Sequence, residues 1–288
     1  MCGQLVESNA QDALCVAAYF NHEKIIKIIL DKAVIMGWHI DPNDGFYCAS
    51  NNGHIAVAQL LLDNGADVNV RRGGLYETAL QSASSKGHIT IAQLLIDHGA
   101  EVNTRGGYFG TALQAASYTG CTEVIQLLLN HRADLNTKGG YYGTALQAAL
   151  RMGHMEVVQL LIGHGADVNE KGDFYGTALH FASFWGYVAV VQLLLEHGAD
   201  VNQDAGGITP LWNASFKGHQ QIVELLIENG ATVNTQGYYG NAFQAASISQ
   251  QNSVVTLLLE HGAQPVSLPE RPRSVGLRSN MLSLPKLR

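Results

Sequence analysis

Gly139-Gly-Tyr-Tyr-Gly-Thr-Ala-Leu-Gln-Ala-Ala149, a three-residue break, and then Gly153-His-Met-Glu-Val-Val-Gln-Leu-Leu-Ile-Gly-His-Gly-Ala-Asp-Val-Asn169 form one unit of a repeated text. Almost the same words stand one copy earlier and one copy later. Thr78, Thr111, Thr144 and Thr177 are 33 residues apart, and Thr209 and Asn241 follow at intervals of 32. Asn69, Asn103, Asn136, Asn169, Asn202 and Asn234 keep the same beat. A fixed period of this size means one supersecondary unit, copied and stacked on a shared core.

Local physics gives each copy a shape. Thr-Ala-Leu-Gln at 78–81, 111–114 and 144–147 is a Thr-x-x-Gln capping box, in which the two side chains satisfy free backbone N–H groups at a helix start. Ala115, Ala116, Ala148 and Ala149 follow, and small residues allow this first helix to approach its neighbours closely. Gly120, Gly153 or Gly186 ends it, because glycine tolerates the left-handed terminal conformation. A second helix begins within a few residues. Its Val157, Val158, Leu160, Leu161 and Ile162 cover too wide an arc for one face, so it is expected to lie sandwiched. The glycine-rich connection that follows cannot be helical and must form a tight extended turn.

Read in order, residues 1–42 are a degraded first copy. Ile25, Ile26, Ile28, Ile29 and Leu30 supply its apolar helix face, and Lys24, Lys27, Asp31 and Lys32 supply the polar outer face that a terminal repeat needs. Residues 43–75 are a second degraded copy, with Asp44-Gly45-Phe46 where Thr-Ala-Leu is expected. Regular copies run to residue 264. Beyond it Pro265, Pro269, Pro272 and Pro285 with interspersed Ser and Arg predict a disordered basic tail over 265–288.

Composition sets limits on function. The net charge is −7, divided into +4 on the tail and −11 on residues 1–264. An acidic body argues against binding along a phosphate backbone, so no nucleic acid is expected. No apolar run approaches the ~18 residues that span a bilayer, so no membrane is expected. No secretory signal opens the sequence, and Cys2, Cys15, Cys48 and Cys121 form no Cys-x-x-Cys pair. These features predict free thiols in an intracellular, cytoplasmic protein, with the nucleus as the other compartment. A monomer is expected.

With these residues in view, the sequence resembles the ankyrin repeats. The resemblance rests on 33-residue units carrying Thr-Pro-Leu at 209–211, Gly-His at 87–88 and 153–154, and Gly-Ala-Asp-Val-Asn at 65–69, 165–169 and 198–202. It covers about eight copies and implies an all-α ankyrin-repeat solenoid of helix–turn–helix units with projecting hairpins. It also implies protein binding by the hairpin tips and by the concave face of the first helices. The style of the copies further resembles the ankyrin arrays of filamentous fungi. That likeness implies an alternative role as the recognition portion of a receptor-like nucleotide-binding signalling protein, or as an accessory subunit dedicated to an enzyme. Three departures stand out. Alanine replaces the proline of Thr-Pro-Leu in most copies. Gln81, Gln114, Gln147 and Gln244 replace the usual histidine, which survives as His180, while Trp212 occupies the slot in copy seven. The turn glycine sits one position late, at Gly110, Gly143, Gly176 and Gly240.

No catalytic motif is present: neither a P-loop, nor His-Glu-x-x-His, nor Gly-x-Ser-x-Gly occurs. Ten of the twelve histidines recur at two repeat positions, the Gly-His slot and the last turn of the second helix, which assigns them structural work. No enzyme, no cofactor and no metal site is expected. The informative residues vary between copies. Two positions end each first helix: Ser85-Lys86, Tyr118-Thr119, Arg151-Met152, Phe184-Trp185, Phe216-Lys217 and Ile248-Ser249. Aromatic, Met and Arg side chains are enriched at interface centres. Tyr118, Arg151, Met152, Phe184, Trp185, Phe216 and Lys217 are therefore the candidate protein-binding strip. The hairpin aromatics Tyr108, Tyr141, Tyr142, Phe174, Tyr175 and Tyr238 are candidate contacts at the tips, with one ring of each pair expected to stack on the next hairpin.

Overall fold

The structure, a computed structural model, describes residues 2–172 and 176–265, with side chains from residue 8 onward. Phe174, Tyr175 and the tail from residue 266 lie outside the described residues. Sixteen helices pair into eight copies among the described residues. The first four copies are α1 (Cys2–Tyr19) with α2 (Glu23–Met36), α3 (Asn43–Asn51) with α4 (Ile55–Asp63), α5 (Ala79–Lys86) with α6 (Ile89–Asp97), and α7 (Ala112–Thr119) with α8 (Thr122–Asn130). The last four are α9 (Ala145–Met152) with α10 (Met155–Gly163), α11 (Ala178–Trp185) with α12 (Val188–Glu196), α13 (Pro210–Lys217) with α14 (Gln220–Glu228), and α15 (Ala242–Ile248) with α16 (Asn252–Glu260). No strand occurs among the described residues. The hairpins close through single antiparallel bridges such as Gly106 to Gly110 and Gly139 to Gly143.

The described residues part into two compact units, residues 2–149 with 156–165, and residues 150–155 with 166–172 and 176–265. In the first unit α1, α3, α5 and α7 stack in succession, and α2, α4, α6 and α8 form a second layer. In the second unit α11, α13 and α15 stack, backed by α12, α14 and α16. The first helices can pack this closely because Ala79, Ala83, Ala112, Ala115, Ala116 and their equivalents are small and fully or almost fully buried. The second helices are sandwiched as their wide apolar arc requires: Val157, Val158, Leu161 and Ile162 are all buried.

The capping boxes form. Thr111 Oγ1 accepts from the Gln114 N–H at 3.2 Å, and Gln114 Oε1 accepts from the Thr111 N–H at 2.7 Å. The same reciprocal pair occurs at Thr78 with Gln81, Thr144 with Gln147, and Asn241 with Gln244. The glutamine also has a second task, which its spacing in the sequence does not reveal. The Gln81 amide donates to the carbonyls of Thr104 and Gly110, at 3.0 and 2.8 Å, in the hairpin that follows. Gln114 does the same to Thr137, Gly139 and Gly143. One buried side chain thus caps its own helix and satisfies the carbonyls of the next hairpin.

His180 shows why the surviving histidine and the substituted glutamines are equivalent. Its Nδ1 lies 2.9 Å from Thr177 Oγ1 and accepts the Thr177 N–H, and its Nε2 donates to the Ile208 carbonyl at 3.0 Å. This needs a neutral ring. Burial pushes the pKa of His180 from 6.5 down to about 4, against the opposing pull of the Ile208 carbonyl and the Asp204 carboxylate.

The recurring asparagine is a second clasp. The Asn103 side chain donates to the Arg132 carbonyl at 3.1 Å and accepts from the Asp134 N–H at 2.8 Å, both one copy ahead. Asn69, Asn169, Asn202 and Asn234 repeat the pattern. The repeated histidines have two distinct uses. His54 and His219 bond the Tyr19 and Phe184 carbonyls of the preceding copy, at 3.0 and 3.1 Å. His98, His164, His197 and His261 turn Nδ1 onto carbonyls in the last turn of their own helix. Successive hairpins touch through backbone, with the Tyr141 N–H donating to the Tyr108 carbonyl at 2.8 Å and the Tyr108 N–H to Leu75 at 3.0 Å. Gly140 permits that approach: its φ is +61°, and a Cβ there would lie 2.5 Å from the Phe109 carbonyl carbon.

The first copy departs from expectation. Lys24, Lys27, Asp31 and Lys32 are exposed, as a terminal face requires, but only Ile26 of the isoleucines on α2 is fully buried. Ile25 and Ile28 lie outside, because Ile26 and Ala33 mark the covered side of α2.

Leu161 is fully buried, so Leu161→Ala is expected to cost ~2–5 kcal/mol in chemical denaturation. The buried hydroxyl of Ser117 has no hydrogen-bond partner, so Ser117→Ala in the same assay should leave stability unchanged or raise it by up to ~1 kcal/mol. A pH series tests His180. Between pH 6.5 and about 4 the unfolded chain binds a proton at this residue that the fold refuses, so stability falls as pH drops through that window. The full loss attributable to this group is up to about 3 kcal/mol. His180→Gln keeps both hydrogen-bonding tasks and should flatten the curve relative to the parent chain.

Candidate functional site

In the first unit the stacked hairpins carry two aromatic columns. The inner rings lie over the ends of the first helices. Tyr76 stacks on Phe109 at 5.3 Å between centroids, and Tyr142 stacks on Tyr118 at 4.6 Å. Phe109 also leans on Tyr118 at 5.0 Å. Tyr118, expected as part of a helix-end strip, is therefore built into the hairpin cluster. Ser85, the polar end of that strip, is buried and holds the Tyr76 hydroxyl at 2.9 Å. Burial and hydrogen bonding to the Tyr108 and Tyr118 phenols push the Tyr142 pKa far up, so its hydroxyl stays protonated.

The outer rings face solvent. Tyr108 and Tyr141 stack at 5.1 Å with planes 13° apart and remain 38% and 43% exposed. Each also meets the inner ring of its own pair edge-on. Both rings of a pair thus stack along the copies, where the sequence predicted one. The backbone bond from Tyr141 to Tyr108 sets their spacing, because the rings leave hairpins that are themselves hydrogen-bonded.

In the second unit the helix ends present a mixed surface. Arg151, Met152, Trp185, Phe216 and Lys217 are half-buried. Phe184 differs from expectation: it is only 9% exposed, with the Lys217 ammonium 4.3 Å above its ring and Trp185 against its edge. It is a support for Trp185 and Lys217, and the cation–π contact fixes the lysine head over an aromatic face. Trp185 also leans on Phe181. Phe216 stacks on Trp212 at 5.1 Å, and Tyr239 closes on the same indole at 6.2 Å. Trp212 was not singled out as a surface determinant, although its position held the signal. It stands in the slot that glutamine or histidine fills elsewhere, cannot clasp the next hairpin, and packs with Ile208 and Ala245 while its Nε1 finds no partner. Tyr238 is the outward ring of the last hairpin and is 67% exposed.

Among the described residues, no group of three or more His, Cys, Asp or Glu side chains is placed to hold a metal ion. Cys15, Cys48 and Cys121 are free thiols. No helix among the described residues is long and apolar enough to cross a membrane.

A family model for ankyrin repeats (3 copies) matches residues 2–72, 46–139, 137–205 and 202–268. The crystal structure of the human ASB11 ankyrin repeat domain is similar, with a TM-score of 0.64 and 25% sequence identity, over 77% of this chain and 99% of that one. No curated protein matches the chain. Ankyrin repeats are generally protein–protein interaction modules. With paired helices, bridged hairpins and a family match along nearly the whole described length, the chain belongs to the ankyrin-repeat family.

Proposed function

We propose that this chain is a non-catalytic scaffold that binds a protein partner. Tyr108 and Tyr141 supply the tip contacts in the first unit. Arg151, Met152, Trp185, Phe216, Lys217 and Tyr238 supply contacts in the second. The observation that carries this reading is the outer tyrosine column, which is large, aromatic, exposed and already ordered by stacking and by the hairpin backbone. A rigid tyrosine offers contact area at small entropic cost, and a pre-ordered pair costs less still.

The test begins with capture of a partner on the immobilised chain from cells of the source organism, followed by calorimetric titration with that partner purified. Tyr108→Ala with Tyr141→Ala, and separately Trp185→Ala, should each weaken binding by about 2 kcal/mol or more, roughly thirtyfold. Both tyrosine rings are more than half covered by neighbouring rings, so affinities are compared at equal folded fraction, with the melting temperature of each variant measured beside them. Lys86→Ala, an exposed charge on α5, should be nearly silent. Unchanged affinity in both aromatic variants would remove these surfaces from the binding site. A lower melting temperature, with affinity tracking only the folded fraction, would assign Trp185 to packing.

A further inference from the structure

The first helices of the second unit are almost free of charge. Residues 178–187, 210–219 and 242–251, which cover α11, α13 and α15 with the turns that follow them, hold no Asp or Glu, and Lys217 is their one Lys or Arg. Residues 1–264 carry −11, so the carboxylates of this unit sit on its second helices and hairpins. Lys217 is held in a defined place. Its ammonium stands 4.3 Å from the centre of the Phe184 ring, where α13 packs on α11. Phe184 meets Trp185 edge to face at 5.4 Å, and Trp185 leans on Phe181 at 6.1 Å. His219 joins the same cluster, with Nε2 3.1 Å from the Phe184 carbonyl. These contacts make Lys217, Phe184, Trp185 and His219 one patch, in which Lys217 and Trp185 remain partly open to water. Among the described residues no carboxylate lies within ion-pairing distance of Lys217. Burial pushes the pKa of His219 down against its bond to the Phe184 carbonyl, and the Lys217 ammonium adds to the shift, so that ring stays neutral.

We propose that the Lys217 ammonium pairs with one carboxylate of the protein partner, and that a large apolar side chain beside that carboxylate packs on Trp185. The inference rests on the protein-binding reading of the second unit and names the partner's chemistry: a segment with a single Asp or Glu next to an aliphatic or aromatic residue. The lysine head is already fixed over a ring, so little freedom is lost when it meets an anion. The Phe184 and Trp185 rings keep water from one side of the pair, and a charge pair strengthens as water is excluded. Opposite charges across an interface set register and select the partner. A carboxylate fits better than a phosphate, which is taken by clusters of guanidinium groups, because α11 and α13 hold no arginine. One acid fits better than a run of them, because the −11 of the body repels a polyacidic chain.

Selection of displayed random short peptides on the immobilised full chain tests this. Enriched peptides whose binding is lost on Trp185→Ala are expected to carry one Asp or Glu beside a large apolar residue. The strongest is synthesised with glutamate, glutamine or phosphoserine at the acidic position and titrated calorimetrically. The glutamate form should bind the parent chain ~10-fold or more tighter than the glutamine form. On Lys217→Gln the two forms should bind alike, and on Lys217→Arg the preference for glutamate should return. Lys86→Ala, in the first unit, should change neither affinity. Helicity and melting temperature are measured for each variant, and affinities are compared at equal folded fraction. A glutamine form that binds the parent chain as well as glutamate would overturn the proposal and leave the Trp185 surface standing. So would a glutamate-to-glutamine loss that persists on Lys217→Gln. A phosphoserine form that binds tighter than glutamate would overturn the carboxylate assignment in favour of phosphate. A selection that yields no peptide lost on Trp185→Ala would also overturn the proposal, while titration with the captured partner would still decide the protein-binding reading.

Discussion

One side-chain position ties several copies to the hairpin that follows: the third residue of the first helix, where it is glutamine or histidine. Gln81, Gln114 and His180 each accept a backbone N–H at their own helix start and donate to carbonyls of the hairpin that follows. The position is buried, so an unmade bond there would cost ~1–3 kcal/mol. Only a side chain with an acceptor and a donor at opposite ends can serve both partners. A primary amide does so at any pH, and an imidazole does so only while neutral. Trp212 has a donor alone, and its copy changes strategy, replacing the clasp with a stack of Trp212, Phe216 and Tyr239.

The surfaces depend on these buried bonds. The glutamine amides hold the hairpin carbonyls, the hairpins then approach closely enough for N–H to carbonyl bonds between tips, and glycine at 140 leaves room for that approach. Rings on neighbouring tips are thereby brought to stacking distance. The tyrosine array is thus a product of backbone spacing as much as of tyrosine chemistry. The asparagine column adds two bonds from one copy to the next, as at Asn103. Where each copy leans on its neighbour in this manner, stability is shared along the stack.

Much of this was legible in the sequence. The period, the Thr-x-x-Gln boxes and the glycine punctuation report local backbone chemistry, which depends on residues three or four apart and survives any tertiary arrangement. Helix order, helix ends and the family followed from them. So did the structural use of the repeated histidines, because recurrence at a fixed position marks a repeated environment.

What lay beyond reach concerned contacts between residues some 30 positions apart. The second bond of each glutamine, the merging of Tyr118 with the hairpin rings, the burial of Phe184 under Lys217 and the outward isoleucines of α2 all involve partners that periodicity does not specify. A period says that copies stack. It does not say which face of a side chain the neighbour covers, because that depends on the spacing and rotation between copies. The sequence determined the helices, their ends and the repeat. The tertiary structure decided which aromatic rings are support and which face water, since exposure belongs to the packed array and to no single copy.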